Sequence, residues 1–147
     1  MSKIYHIIIF VLLLFLFLSC SPTQQLGKIY TKDNAKQLLG NVVYSTEIER
    51  DTVAGLLNKT EKNIMFGIIN KNLIILDNNR KLLYPLKAEF NDNDVFTVYS
   101  ISVVKDLLSK GSSPIINVEQ RREVLSVSYD NNTMEYGTKC PPICDSE

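Results

Sequence analysis

The chain has 147 residues, a length typical of one domain, and its 16 Lys and Arg residues balance its 16 Asp and Glu residues. The absence of a basic excess removes the usual electrostatic basis for binding nucleic acid. Its one histidine is His6, so the rest of the chain cannot form a Ser-His-Asp triad or a histidine-based metal site.

The first 19 residues have the layout of a secretory signal peptide. Lys3 supplies a positive charge, and an unbroken apolar run follows over residues 7–18. The run is shorter than the roughly 20 apolar residues that a membrane span needs, and the small residue Ser19 follows it. This layout predicts export across a membrane, with residues 1–19 as the signal peptide.

The end of this segment resembles a bacterial lipoprotein signal. Phe17-Leu18-Ser19-Cys20 resembles the lipobox, in which a small residue precedes an invariant cysteine. The resemblance implies that Cys20 is lipidated and becomes the first residue of a mature protein anchored in the cell envelope. Ser21 follows the cysteine in place of Asp, which in a Gram-negative cell implies the outer membrane. The alternative is an ordinary signal peptide in which Cys20 is incidental.

Three further regions are predicted after the signal segment. Residues 20–28 are polar and contain Pro and Gly, which predicts a lipidated cysteine followed by a flexible tether. Residues 29–139 are predicted to form a single domain, and residues 140–147 form a tail with the sequence CPPICDSE.

The domain begins with helical signals. Thr31 can cap a helix that Gly40 ends, which predicts a helix over 31–39. Residues 42–44 favour a short strand. Thr46 and Glu49 fit a capping box, which predicts a second helix over 47–58.

From residue 63 onwards the pattern favours β-structure. Apolar runs at 64–69 and 73–76 flank Asn70-Lys71-Asn72, which predicts a hairpin. A third helix is predicted over 101–109, and further strands are predicted at 81–84, 95–99, 115–119, 123–129 and 133–136.

The strand at 123–129 alternates between apolar and polar residues. Its pattern places Leu125, Val127 and Tyr129 inward and Ser126 and Ser128 outward. The whole pattern predicts an α+β fold. It consists of an antiparallel sheet of about five to seven short strands, with two or three helices packed on one face.

Two pairs of residues are candidate structural or contact sites. Cys140 and Cys144 are predicted to form a disulfide, since an even pair of cysteines in an exported protein usually does. The alternative is a thiol-based metal or redox site. Arg121 and Arg122 are predicted to lie in an exposed hairpin turn over 120–122 and to contact a protein partner.

No motif supplies a complete catalytic, cofactor or metal site. Ser102 and Lys105 fit the SxxK pattern, which resembles penicillin-recognising enzymes, but the companion SDN and KTG motifs are absent. The acidic segment 91–94 lacks the Gly and Glu that an EF-hand loop requires. No GxGxxG or P-loop pattern occurs, so neither a nucleotide nor another cofactor is expected.

These observations predict a small non-catalytic envelope lipoprotein, held at the membrane by its N-terminal lipid, that binds another protein. It would act as a periplasmic inhibitor or immunity factor, or as an accessory subunit of an envelope or secretion complex. Two alternatives stay open. One is a small cell-envelope hydrolase that uses carboxylates or Ser102, and the less favoured one is a thiol-based metal or redox protein.

Overall fold

The structure, a computed structural model, describes residues 25–141. The predicted signal segment, the predicted lipidation site Cys20 and the predicted disulfide partner Cys144 lie outside the described residues. Within residues 25–141, no helix is both long and apolar enough to cross a membrane.

Strands dominate the described part of the chain and form two antiparallel sheets. The first sheet has the strand order β1-β9-β8-β7-β2, and the second has the order β10-β6-β3-β4-β5. The elements, in chain order, are β1 (Lys28–Thr31), α1 (Lys32–Leu39), β2 (Val42–Glu49), α2 (Arg50–Leu56), a 3₁₀ turn (Leu57–Lys59), β3 (Asn63–Ile69), β4 (Asn72–Asp77), β5 (Leu82–Tyr84), β6 (Phe96–Ser100), α3 (Ile101–Ser109), β7 (Ile115–Arg121), β8 (Leu125–Tyr129), β9 (Asn132–Glu135) and β10 (Thr138–Cys140).

The predicted α+β class is confirmed, and the division of the strands into two sheets of five was not predicted. The main core joins both sheets with α2 and α3. Tyr99 is a fully buried member of this core, and its hydroxyl donates a hydrogen bond to the carbonyl O of Leu125 at 2.7 Å. The core includes Val53, Leu56, Ile64, Phe66, Ile75, Val104, Leu107, Ile116, Val118, Val127 and Met134.

The second sheet is buried on both faces, which explains the continuous apolar runs of β3 and β4. One face contributes to the main core. The other face packs in a smaller cluster, which Ala88 and Phe90 cover from the segment between β5 and β6. This cluster consists of Leu26, Met65, Ile74, Leu76, Phe96, Val98 and Cys140.

Arg80 fastens the segment between β5 and β6 to the second sheet. Its guanidinium donates to the carbonyl O of Asp92 at 3.2 Å and lies 5.2 Å from the ring centroid of Phe96. Within the same segment, the amide of Asn91 donates to the carboxylate of Asp94 at 2.7 Å. The acidic segment 91–94 is therefore a turn stabilised by local hydrogen bonds and by Arg80.

Several predicted elements agree with the structure. Thr31 caps α1 by accepting a hydrogen bond from the amide of Asn34, and Gly40 ends the helix at φ 82°. The third helix spans the predicted residues 101–109. In the β3–β4 hairpin, Asn70 and Lys71 both have positive φ, as a two-residue type I′ turn requires.

The predicted capping box at Thr46 and Glu49 is wrong. Both residues lie in β2, which continues to Glu49, and α2 begins only at Arg50. Thr46 pairs with Val118 across the first sheet. The ladder with β7, in which β2 pairs from Val42 to Glu49, therefore prevails over the local helix signal.

Two short strands at the ends of the domain were not predicted. Strand β1 begins at Lys28, inside the segment expected to be tether, and Leu26 before it is already buried. Strand β10 brings Cys140, expected in the tail, into the second sheet beside Phe96. The folded domain therefore extends further in both directions than the pattern indicated.

Candidate functional site

The outer face of the first sheet carries a cluster of buried polar side chains. Alternation along β7, β8 and β9 turns the apolar residues toward the main core and the polar residues to the opposite side. Ser126 and Ser128 point outward as predicted, but both are fully buried rather than solvated. The outer-face cluster consists of Glu119, Arg121, Ser126, Ser128, Thr133 and Glu135.

Arg121 is the centre of the outer-face cluster and is only 3% exposed. It lies 3.1 Å from the carboxylate of Glu119 and 3.4 Å from that of Glu135. It also donates to the hydroxyl of Ser126 at 3.2 Å and to the carbonyl O of Gly40, at the end of α1. The cation is thus paired with two carboxylates from different strands and covered by the end of a helix.

The prediction that Arg121 lies in an exposed turn is wrong. Strand β7 continues through Arg121, whose amide donates to the carbonyl O of Val124 at 2.8 Å, so the turn comes later. Arg122 is exposed, and its role as a partner contact stays a prediction. Arg121 is buried in place of being exposed because its guanidinium pairs with the carboxylates of Glu119 and Glu135 on the sheet face.

Glu135 is fully buried, and burial raises the pKa of its carboxyl to about 7 from an ordinary 4.5. Hydrogen bonding to Ser126 and the charge of Arg121 oppose this shift, and the charge of Glu119 adds to it. Burial, followed by the charge of Glu135, also raises the pKa of Tyr99 well above 10.0. Glu135 is therefore a carboxyl group whose protonation changes near neutral pH.

The outer-face cluster has little room for a substrate. The cavity beside Glu135 measures about 100 Å³ and is lined by Leu39, Val124, Tyr136 and Lys139 among others. Ligand pockets usually measure about 300–1,000 Å³. The carboxylate of Glu119 accepts hydrogen bonds from Ser128 at 2.8 Å and from Arg121 at 3.1 Å. Neither carboxylate oxygen of Glu135 has a hydrogen-bond partner of regular geometry within the described residues, and the ion pair with Arg121 is its closest polar contact there. These features favour a structural role for the two carboxylates.

The other candidate residues named from the sequence lie outside the outer-face cluster. Ser102 and Lys105 are both exposed on α3, and the hydroxyl of Ser102 accepts a hydrogen bond from the side chain of Gln25 at 3.2 Å. Cys140 is buried and disulfide-bonded, and its pairing with Cys144 stays a prediction. Within residues 25–141, no group of three or more His, Cys, Asp or Glu is arranged to hold a metal ion.

Strand β2 forms an open edge of the first sheet. It has eight residues and, among the described residues, pairs only with β7. Val43 is 68% exposed, and Ser45, Glu47 and Glu49 are exposed as well. An uncovered edge of this length is a template on which another strand can pair.

The hydrogen-bond pattern identifies which backbone groups of β2 point away from β7. In an antiparallel ladder, alternate residues bond to the neighbouring strand and those between them point away. The amide of Arg50 donates to the carbonyl O of Pro114 at 2.8 Å, so the even-numbered residues of β2 bond to β7. Ser45 and Glu47 therefore direct their amides and carbonyls to the open edge.

A groove of about 430 Å³ lies beside the open edge of β2. Thr46 and Glu47 line one side, and the β3–β4 turn and the 84–89 segment line the other. The hydroxyl of Tyr44 donates to the carbonyl O of Lys71 at 2.8 Å and links β2 to that turn. The lining carries charges of both signs, from Glu47, Lys71, Lys87 and Glu89.

One indirect signal for this edge is present in the amino-acid sequence. Residues 42–49 alternate weakly and carry Val43 and two glutamates among exposed positions, a composition common in edge strands. The capping-box pattern over the same residues concealed it. Comparisons of the chain with models of protein families, with curated proteins and with solved structures found no match.

Proposed function

We propose that this protein is a non-catalytic, lipid-anchored protein of the cell envelope, at the outer membrane, that binds another protein through the open edge of β2. The observation that carries the proposal is that two backbone positions of β2, Ser45 and Glu47, face away from β7 beside a groove and pair with no other strand of residues 25–141. An extended segment of the partner would add to the first sheet there. Its main chain would bond to β2, and its alternate side chains would enter the groove.

The charges on β2 favour a different protein over a second copy of this chain. Glu47 and Glu49 are exposed on the edge, and β2 contains no Lys or Arg. A second β2 strand would therefore bring more negative charge and no positive charge to the pairing. A partner segment with basic side chains would complement the glutamates. Lys71 and Lys87 in the groove would form ion pairs with acidic residues of the partner segment.

The test is site-specific cross-linking in cells that naturally produce the protein. A photoreactive benzophenone amino acid at position 47 of the full-length chain is expected to capture a discrete protein. Ser45→Pro removes an amide that faces the open edge, so it should abolish the adduct while leaving the β7 ladder intact. Ser45→Ala is the matched control, because it removes the side chain and keeps the amide, and it should retain the adduct.

Two results would contradict the proposal. One is an adduct that persists in Ser45→Pro, since that would place the contact elsewhere on the surface. The other is an adduct of twice the chain mass, since that would show a second copy in place of a different protein. Circular dichroism of both variants, with melting temperatures within a few degrees of each other, establishes that a lost adduct reflects the edge and not the fold.

A further inference from the structure

An aromatic and basic patch lies along β1, where Lys28 is exposed and Tyr30 is half-buried. The rings of Tyr30 and Tyr136 are 5.7 Å apart between centroids, and the ammonium of Lys28 lies 5.2 Å from the Tyr30 ring. Tyr136 is 58% exposed. The aromatic patch, defined here as Lys28, Tyr30 and Tyr136, presents two phenol hydroxyls and one ammonium together with apolar ring surface.

Tyr136 occupies a backbone conformation that an ordinary residue rarely adopts. Its φ is 58°, in the left-handed region where a residue with a side chain costs about 1 kcal/mol or more. The next residue must be glycine, because a Cβ added to Gly137 would lie 2.6 Å from the carbonyl O of Val98 and 2.9 Å from the Tyr99 ring. Gly or Asn would suit the backbone at position 136 better, and the contact with Tyr30 leaves more than half of the Tyr136 side chain exposed.

The aromatic patch is close to the place where the chain leaves toward its predicted anchor. Leu26 is held at the end of β6, since its amide donates to the hydroxyl of Ser100 at 2.8 Å and its carbonyl accepts from the Ser100 amide at 3.0 Å. Lys28 pairs with Glu135, directly before Tyr136. Only residues 21–25 separate Leu26 from Cys20, and that length of chain reaches at most about 20 Å.

We infer that the aromatic patch contacts the phospholipid headgroups of the bilayer that holds Cys20. Tyrosine favours the membrane interface, where its ring meets apolar surface and its hydroxyl meets water. Lys28, with exposed Lys139 nearby in sequence, adds attraction to anionic headgroups. The contact would set the orientation of the domain, whereas the lipid alone would only hold it. The inference rests on the lipid anchor of the proposed function and not on the β2 edge.

The absence of tryptophan from the chain allows a direct test. Tyr136→Trp introduces a single fluorescent reporter in the patch. Leu86→Trp is the control, because Leu86 is 93% exposed in the segment that follows β5, at the opposite edge of the second sheet from β10. Each full-length lipidated variant is placed in vesicles of phosphatidylcholine and phosphatidylglycerol, with and without brominated acyl chains, and the quenching of fluorescence is measured.

The expected result is at least about twofold stronger quenching, with a blue-shifted emission, for Tyr136→Trp than for Leu86→Trp. Tyr30→Trp serves as a second reporter in the patch should Tyr136→Trp fail to fold. Equal quenching in an acylated protein would overturn the headgroup contact alone. An intact mass without acyl chains would overturn both the lipid anchor and the headgroup contact. Neither result bears on the β2 edge, which cross-linking at position 47 tests independently.

Discussion

Replacement of Arg121 by methionine is expected to lower the free energy of unfolding by about 3–5 kcal/mol. The substitution keeps most of the side-chain volume and removes the cation that lies 3.1 Å from Glu119 and 3.4 Å from Glu135. Two carboxylates would then face each other on a covered sheet surface with no opposite charge. Chemical denaturation with urea, followed by far-ultraviolet circular dichroism, measures the change.

The adjacent arginine supplies a matched control for this prediction. Arg122 is exposed, so Arg122→Met is expected to change the free energy of unfolding by less than about 0.5 kcal/mol. At alkaline pH, where Glu135 would otherwise ionise without a partner, adding Glu135→Gln to Arg121→Met should recover part of the loss, because one of the unpaired charges is then gone. Equal losses for the two arginine variants would contradict the assignment of Arg121 to the interior.

The second large effect concerns the pH dependence of stability. The pKa of Glu135 is about 7 in the folded protein and lies above its ordinary value of 4.5. Between these values the folded protein holds a proton that the unfolded chain has released. The free energy of unfolding should therefore fall as the pH rises from about 5 to about 7, by about 3 kcal/mol at most from this group.

Comparison with Glu135→Gln isolates this contribution. The variant cannot ionise at position 135, so its free energy of unfolding should not show this decline. The difference in the free energy of unfolding between the variant and the parent protein should therefore shift in favour of the variant as the pH rises. The variant retains the charged and titratable groups near Glu135, which are Arg121, Glu119 and Tyr99, the cross-strand neighbour Lys28, and Lys139 in the adjacent cavity. Urea denaturation at pH 5 and pH 8 gives the difference. Parallel pH curves for the two proteins would show that Glu135 is already ionised at pH 5.

The parts of the fold that the sequence predicts are those specified by neighbouring residues. Thr31 and Gly40 mark α1 because a cap and a left-handed stop act within one helix. Asn70 and Lys71 mark the β3–β4 hairpin because a two-residue turn is likewise specified by adjacent residues. Strands β1 and β10 are too short to show a pattern. Their pairing depends on β9 and β6, which are distant in the sequence.

The candidate site depends on contacts that no local pattern specifies. Arg121 is buried because Glu135 of β9 meets it on the sheet face and Gly40 covers it, and neither residue is near it in sequence. Ser126 and Ser128 indicated a polar face, but the alternation could not show that this face is covered. The open edge of β2 follows from the order of the strands, which is set only when the whole sheet forms.

Amide hydrogen exchange along β2 tests the central claim most directly. By nuclear magnetic resonance, the amides of Ser45 and Glu47 should exchange quickly in the free domain, while those of Thr46 and Ile48, bonded to β7, exchange slowly. When the protein captured by cross-linking is added, Ser45 and Glu47 should become protected and Thr46 and Ile48 should change little. Rapid exchange of Ser45 and Glu47 in the complex would contradict strand addition at this edge.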